Sequence, residues 1–156
     1  MASLPMRAWR SFLEAHARVT TLLEDDLVRA KGLPLAWYDV LVQLEEAEGH
    51  RLRMTELARR VLISKSGLTR LVDRMAAAGL VTRSPDVRDR RGRWVELSPA
   101  GWERLRDAAP LHLRGVRQYF TGELDEDSAA VLAGVLGRVA ARAEEELRAR
   151  ERQRAR

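Results

Sequence analysis

Ser64-Lys65-Ser66-Gly67-Leu68-Thr69-Arg70-Leu71-Val72-Asp73-Arg74-Met75-Ala76-Ala77-Ala78-Gly79 has one periodicity, and the residues that follow it have another. Leu68, Leu71, Val72 and Met75 stand at i, i+3, i+4 and i+7, the apolar stripe of an α-helix. Lys65, Ser66, Thr69, Arg70, Asp73 and Arg74 are left on the opposite side. Ser64 is an N-cap candidate, and Gly79 is the residue type that ends helices in a left-handed conformation. Beyond it, Leu80-Val81-Thr82-Arg83 and Trp94-Val95-Glu96-Leu97 are short and β-prone. They flank a polar stretch, Ser84 to Arg93, that contains Pro85 and Gly92, so the pattern predicts a hairpin with a long charged tip.

Upstream, Trp9, Phe12, Leu13, Thr20, Leu23, Leu27 and Ala30 recur at three- and four-residue steps and predict a helix over about 6–31, closed by Gly32. A second helix is expected from Leu35 to Ala47, with Trp37 or Tyr38, Leu41, Val42 and Leu44 inward and Glu48-Gly49-His50 as a turn. Thr55 suits the N-cap of a short third helix in which Leu57, Ala58 and Val61 face the core. Downstream, Ser98-Pro99 pairs an N-cap with proline at the first helical position. Trp102, Leu105, Ala109, Leu113, Val116 and Phe120 carry that helix on, with a kink or interruption expected at Pro110. A last helix is expected to begin near Asp125, to use Leu132, Val135, Leu136, Val139, Ala143 and Leu147, and to fray into an arginine-rich end.

The charge of +5 is unevenly spread: residues 51–93 hold twelve Lys/Arg against four Asp/Glu, a balance of +8, while the rest of the chain balances at −3. Concentrated positive charge is the footprint of phosphate binding, although a solvated basic face would give the same count. A short helix, a tight turn, an amphipathic helix and a basic hairpin together make the winged helix-turn-helix order. The second helix of such a unit enters the DNA major groove, N-terminal side chains nearest the bases. Here Ser64, Lys65, Ser66, Thr69 and Arg70 occupy those positions, with Arg74 one turn further on and suited to phosphate. Arg88, Arg90, Arg91 and Arg93 crowd the hairpin tip, where they can read minor-groove width. Asp86 and Asp89 in the same tip would repel DNA if left free, so Asp89 is assigned a structural role, holding an arginine.

Thr55-Glu56-Leu57-Ala58, the run Ser64 to Met75, Ala78-Gly79-Leu80-Val81, Asp89-Arg90-Arg91-Gly92 and Val95-Glu96-Leu97-Ser98-Pro99-Ala100-Gly101 together resemble the multiple antibiotic resistance regulator (MarR) family. The resemblance covers nearly the whole chain in helix order and length. It implies a mainly α fold with a small β-hairpin wing, in which a winged helix-turn-helix module is embedded between dimerisation helices. All of 1–156 then form a single MarR-like domain: a DNA-binding module over about 35–97, and dimerisation helices over about 6–31 and 98–148. It further implies that Asp89 and Arg91 take paired wing positions, Arg91 being the minor-groove probe. A homodimer would read a palindromic operator in double-stranded DNA, with half-sites roughly 34 Å apart.

Members of the family commonly release DNA when a small molecule, often an anionic aromatic, enters a cleft between the dimer helices and the DNA module. By that analogy the chain is expected to be a repressor released by an aromatic or anionic ligand. Trp9, Phe12, His16, Trp37, Tyr38 and His112 are the ligand candidates, and the same side chains serve equally well as core or interface. Without cysteine there are no disulfides, cysteine metal sites or thiol redox sensing. The three histidines, His16, His50 and His112, share no metal-ligand spacing, so no metal or cofactor is expected. No nucleophile motif, phosphate-binding glycine loop or paired acid–base carboxylates appear, and an enzyme is not expected. No run of eighteen apolar residues occurs and no signal-peptide core stands near the start, so no membrane partner and a cytoplasmic location are expected. The competing reading is a sequence-independent architectural nucleic-acid-binding protein, which explains the charge without needing the recognition-helix pattern.

Overall fold

The computed structural model describes residues 3–61, 65–86 and 92–154. In chain order these form α1 (Leu4–Lys31), α2 (Leu35–Glu45), a 3-10 turn (Glu48–His50), β1 (Arg51–Arg53), α3 (Met54–Arg60) and α4 (Lys65–Ala77). They continue with β2 (Val81–Pro85), β3 (Arg93–Leu97), α5 (Pro99–Tyr119), a second 3-10 turn (Thr121–Glu123) and α6 (Glu126–Arg154). The fold is therefore mainly helical with one small sheet. The chain divides into two compact units between Val116 and Arg117, a division that falls within α5.

The core of the first unit draws Leu27 from α1, Leu41 and Leu44 from α2, Leu57 from α3, and Leu68, Val72 and Met75 from α4, with Val95 and Leu105 closing it. All four residues of the predicted α4 stripe are buried, and Thr69, Arg70, Asp73 and Arg74 stay exposed. Burying each such aliphatic side chain is worth about 1.5–3 kcal/mol, which places the main stabilisation of the helix-turn-helix on this stripe. In α2 it is Tyr38 that turns inward, while Trp37 packs only partly against the core. Gly32 (φ 59°) and Gly79 (φ 76°) close α1 and α4 in the left-handed region. The Leu80 N–H then returns to the Met75 carbonyl at 3.0 Å, which carries the chain from helix to strand.

The sheet is antiparallel in the order β1-β3-β2. The β2–β3 hairpin matches the sequence expectation, but β1 was not foreseen: three residues with a single apolar member give too short an alternation to register. Leu52 faces the core opposite Val95, and Arg53 stands opposite Trp94. Because β1 runs directly into α3, extended Arg53 occupies the N-cap position without a side-chain cap, and Thr55 lies inside the first turn. The expected Thr55 cap is corrected accordingly.

Ser98 starts α5 as anticipated. Its Oγ accepts the Gly101 N–H at 2.9 Å and donates to the Gly79 carbonyl at 2.6 Å, tying the start of α5 to the end of α4. The inward line of α5 is Gly101, Leu105, Ala108 and Gly115, whereas Leu113 is exposed. Small residues let this helix approach closely, so a reading that weights bulky side chains misses that line. Pro110 does not interrupt the helix, which is one segment from Pro99 to Tyr119. The missing N–H costs it a single intrahelical hydrogen bond.

In the second unit, the Asp125 carboxylate accepts the Ser128 N–H at 2.7 Å and caps α6. The expected fraying of the arginine-rich end is also corrected, because α6 continues to Arg154. Arg142–Glu146 at 2.9 Å and Arg148–Glu144 at 2.8 Å are i,i+4 pairs of the kind that support an exposed helix.

Candidate nucleic-acid interface

Helix α4 presents Thr69, Arg70 and Arg74 to solvent because Leu68, Leu71, Val72 and Met75 hold its other side in the core. Asp73 on the same exposed side is ion-paired with Arg83 of β2, so its charge is offset locally while Arg70 and Arg74 continue the basic face. Lys65 and Ser66 begin α4. Ser64, Arg88, Asp89, Arg90 and Arg91 lie outside the described residues. Arg93 opens β3 and is exposed, its guanidinium donating to the Gly92 carbonyl at 3.1 Å.

The root of the wing joins Asp86, which the sequence placed in the tip as a repelling charge, to Arg53, which it did not single out. The Asp86 N–H donates to the Gly92 carbonyl at 3.1 Å, joining the two arms beneath the tip. The Asp86 carboxylate is 4% exposed and lies 2.6 Å from the Arg53 guanidinium. Arg53 also lies over the Trp94 ring at 5.3 Å, and Arg51 approaches the same ring at 4.8 Å. Arg53 thus touches the end of one wing arm and the start of the other. Of the two tip aspartates, the one the structure describes is neutralised by a strand that precedes α3. The available signal was the alternation Arg51-Leu52-Arg53, which places both arginines on one face of a strand.

A separate cleft of about 880 Å³ opens between α1, α2 and α5, walled by Leu23, Leu35, Val42 and Leu113. Tyr38 and His112 line it with their ring centroids 4.3 Å apart. Burial pushes the Tyr38 hydroxyl pKa up and the His112 pKa down, which favours the neutral ring. Asp39, also in the lining, is raised by burial and then by the neighbouring Glu46. Glu24 accepts the Leu35 N–H at 2.5 Å and so caps α2 from α1. The remaining ligand candidates lie elsewhere: Trp9, Phe12 and His16 make a ladder along α1, at 5.9 and 6.2 Å between centroids, and Trp37 packs at the edge of the core. Among the described residues no group of three or more His, Asp or Glu is placed to hold a metal ion. No described helix is long and apolar enough to cross a membrane.

A helix-turn-helix whose second helix leads into a three-stranded wing, with a basic outer face, defines the winged-helix class. The MarR family model matches residues 31–92. Over most of the chain the structure is similar to AbsC, a MarR family transcriptional regulator from Streptomyces coelicolor. The identity is 36%, the match covers 93% of this chain and 97% of that one, and the TM-score is 0.85. Sco3205, a MarR family regulator from the same organism solved in complex with DNA, is 35% identical over 90% of this chain and 88% of its own, with a TM-score of 0.84. The transcriptional repressor YetL of Bacillus subtilis is 33% identical over 97 residues, 62% of this chain and 58% of its own. The chain therefore spans less than two thirds of the length of the curated relatives it first matches. It belongs to the MarR family, whose members are transcription regulators rather than enzymes.

Proposed function

We propose that this chain is a sequence-specific repressor that binds a palindromic operator as a homodimer and leaves it when a small ligand fills the α1–α2–α5 cleft. The observation that carries the DNA reading is the exposed Thr69, Arg70 and Arg74 face of α4, held outward by a fully buried apolar stripe beside an anchored wing. In this reading Ser64, Lys65, Ser66, Thr69 and Arg70 meet base edges and Arg74 meets phosphate. Arg88, Arg90, Arg91 and Arg93 enter or straddle the minor groove, and Asp89 orients one of them. The module of about 35–97 is carried between dimerisation helices of about 6–31 and 98–148 in one cytoplasmic protein.

Support for the dimer comes from apolar side chains left uncovered in each unit taken alone. Leu4, Met6, Trp9, Phe12 and Leu13 are exposed on α1, and Val131, Val135, Val139 and Leu147 are exposed on α6. Several large apolar side chains left exposed along one helix are what an interface would cover. A selection of genomic fragments with purified protein, followed by footprinting, tests the proposal. One inverted repeat protected over two half-sites is expected. Arg70→Ala should relax base preference within each half-site, and Arg74→Ala should weaken all sequences alike. Recovery of fragments with no common sequence contradicts it.

A further inference from the structure

We infer that the ligand of the α1–α2–α5 cleft is a planar organic cation, an aromatic amine or amidinium, rather than a carboxylate. This deepens the reading of that cleft as the effector site and rests on it. The cleft volume of about 880 Å³ suits a small molecule, and its walls are mainly aliphatic. Its charges all have one sign: Glu24 and Asp39 contribute carboxylates, and no Lys or Arg is among the described lining residues. His112 brings no compensating charge, because burial favours its neutral ring.

Asp39 is the centre of the case. It is half-buried, Glu46 repels it, and among the described residues no donor hydrogen-bonds or ion-pairs its carboxylate. A partly desolvated carboxylate without a donor is costly, and a ligand N–H bearing positive charge relieves both the missing hydrogen bond and the repulsion. Glu24 is already engaged by the Leu35 N–H, which leaves Asp39 as the acid available to a ligand. The Tyr38 ring, packed against His112, also lines the cleft. Beside it, His112 Nδ1 is buried with no hydrogen-bond partner among the described residues. The neutral His112 ring lines the cleft and can accept a ligand N–H through a ring nitrogen that bears no proton. A carboxylate ligand would meet like charge at Asp39 and Glu24 and find no cation among the described lining residues.

The test uses three compounds of one size and shape that differ in charge: benzamidine, benzamide and benzoate, titrated calorimetrically into the full chain near neutral pH. Benzamidine is expected to bind about ten-fold or more tightly than benzoate, with benzamide between them. Asp39→Asn should shrink that gap to about three-fold or less. His112→Phe should weaken the ring compounds that bind wild type. The salt dependence of wild-type binding serves should Asp39→Asn fail to fold: benzamidine affinity falls with added salt, and benzamide affinity does not. Benzoate binding as tightly as benzamidine overturns the charge assignment, and if His112→Phe weakens that binding the cleft survives as the effector site. No binding by any of the three, or binding indifferent to His112→Phe, overturns the cleft and the cation together.

Discussion

Gly101→Ala is expected to destabilise the chain by about 2 kcal/mol or more, although alanine is the better helix former. Gly101 is buried in the first turn of α5, and a Cβ there would stand 2.1 Å from the Leu80 carbonyl oxygen and 2.8 Å from Leu97 Cδ1. The Leu97 methyl can rotate aside. The Leu80 carbonyl cannot, because it accepts the Ser98 N–H at 3.2 Å and belongs to the turn that links α4 to β2. A carbon normally approaches a carbonyl oxygen no closer than about 3.3 Å, so the two backbones must part by roughly 1 Å. Overpacking of this kind costs about 1–3 kcal/mol, occasionally more, and here the obstacle is backbone. Parting them also strains the Ser98 bonds to Gly101 and Gly79, a cap worth about 1 kcal/mol. Alanine's helix preference returns about 1 kcal/mol. Gly137→Ala in α6 is the matched control: nothing lies within 4 Å of its added methyl, so it should stabilise by about 0.5–1 kcal/mol. Urea unfolding followed by circular dichroism, at one fixed protein concentration, reads both. The Gly101→Ala midpoint should fall by about 1 M or more. A Gly101→Ala midpoint at or above wild type would refute the close approach of α5 to Leu80.

Ser98→Ala should cost about 1–2 kcal/mol in the same unfolding assay, because it removes the α5 cap and leaves the Gly79 carbonyl without its side-chain donor. Arg53→Ala should cost about 1–3 kcal/mol, less than a fully buried pair would because the Arg53 side chain is 43% exposed. Adding Asp86→Asn should recover part of that loss in thermal melts, since it removes the buried charge left behind. Asp125 has a carboxyl held below its ordinary 3.8 by the Ser128 side-chain hydroxyl and then the Ser128 N–H. A lowered pKa means that its capping of α6 is fully present above about pH 4 and fades as pH falls through the lower folded value. A carboxyl titration by NMR should show the lowered midpoint in wild type and its return toward 3.8 in Ser128→Ala.

The helix-turn-helix was legible because its buried positions are bulky and evenly spaced: Leu68, Leu71, Val72 and Met75 can only be one face of one helix. The hairpin was legible because Gly79 and Pro85 punctuate a change of period. What escaped reading depends on partners distant in sequence. β1 exists because Leu52 and Arg53 find Val95 and Trp94, and three residues carry no periodicity of their own. Asp86 looked like a liability in a DNA-facing tip, and its neutralisation by Arg53 comes from a residue more than thirty positions earlier. The close inward line of α5 was not read because Gly101, Ala108 and Gly115 are inward for their smallness, which a hydrophobic pattern does not weigh. The ladder of Trp9, Phe12 and His16 drew attention by aromatic content, whereas the cleft is lined by Tyr38, His112 and the acid Asp39.

The most direct test of sequence-specific recognition is a fluorescence-anisotropy titration of the selected inverted repeat against a scrambled duplex of equal length, at low and near-physiological salt. Sequence-specific recognition predicts a preference of about 10³-fold or more for the inverted repeat at the higher salt, while binding to the scramble weakens steeply with salt. Equal affinity for both duplexes, with one shared salt slope, would contradict it and leave a sequence-independent DNA-binding protein.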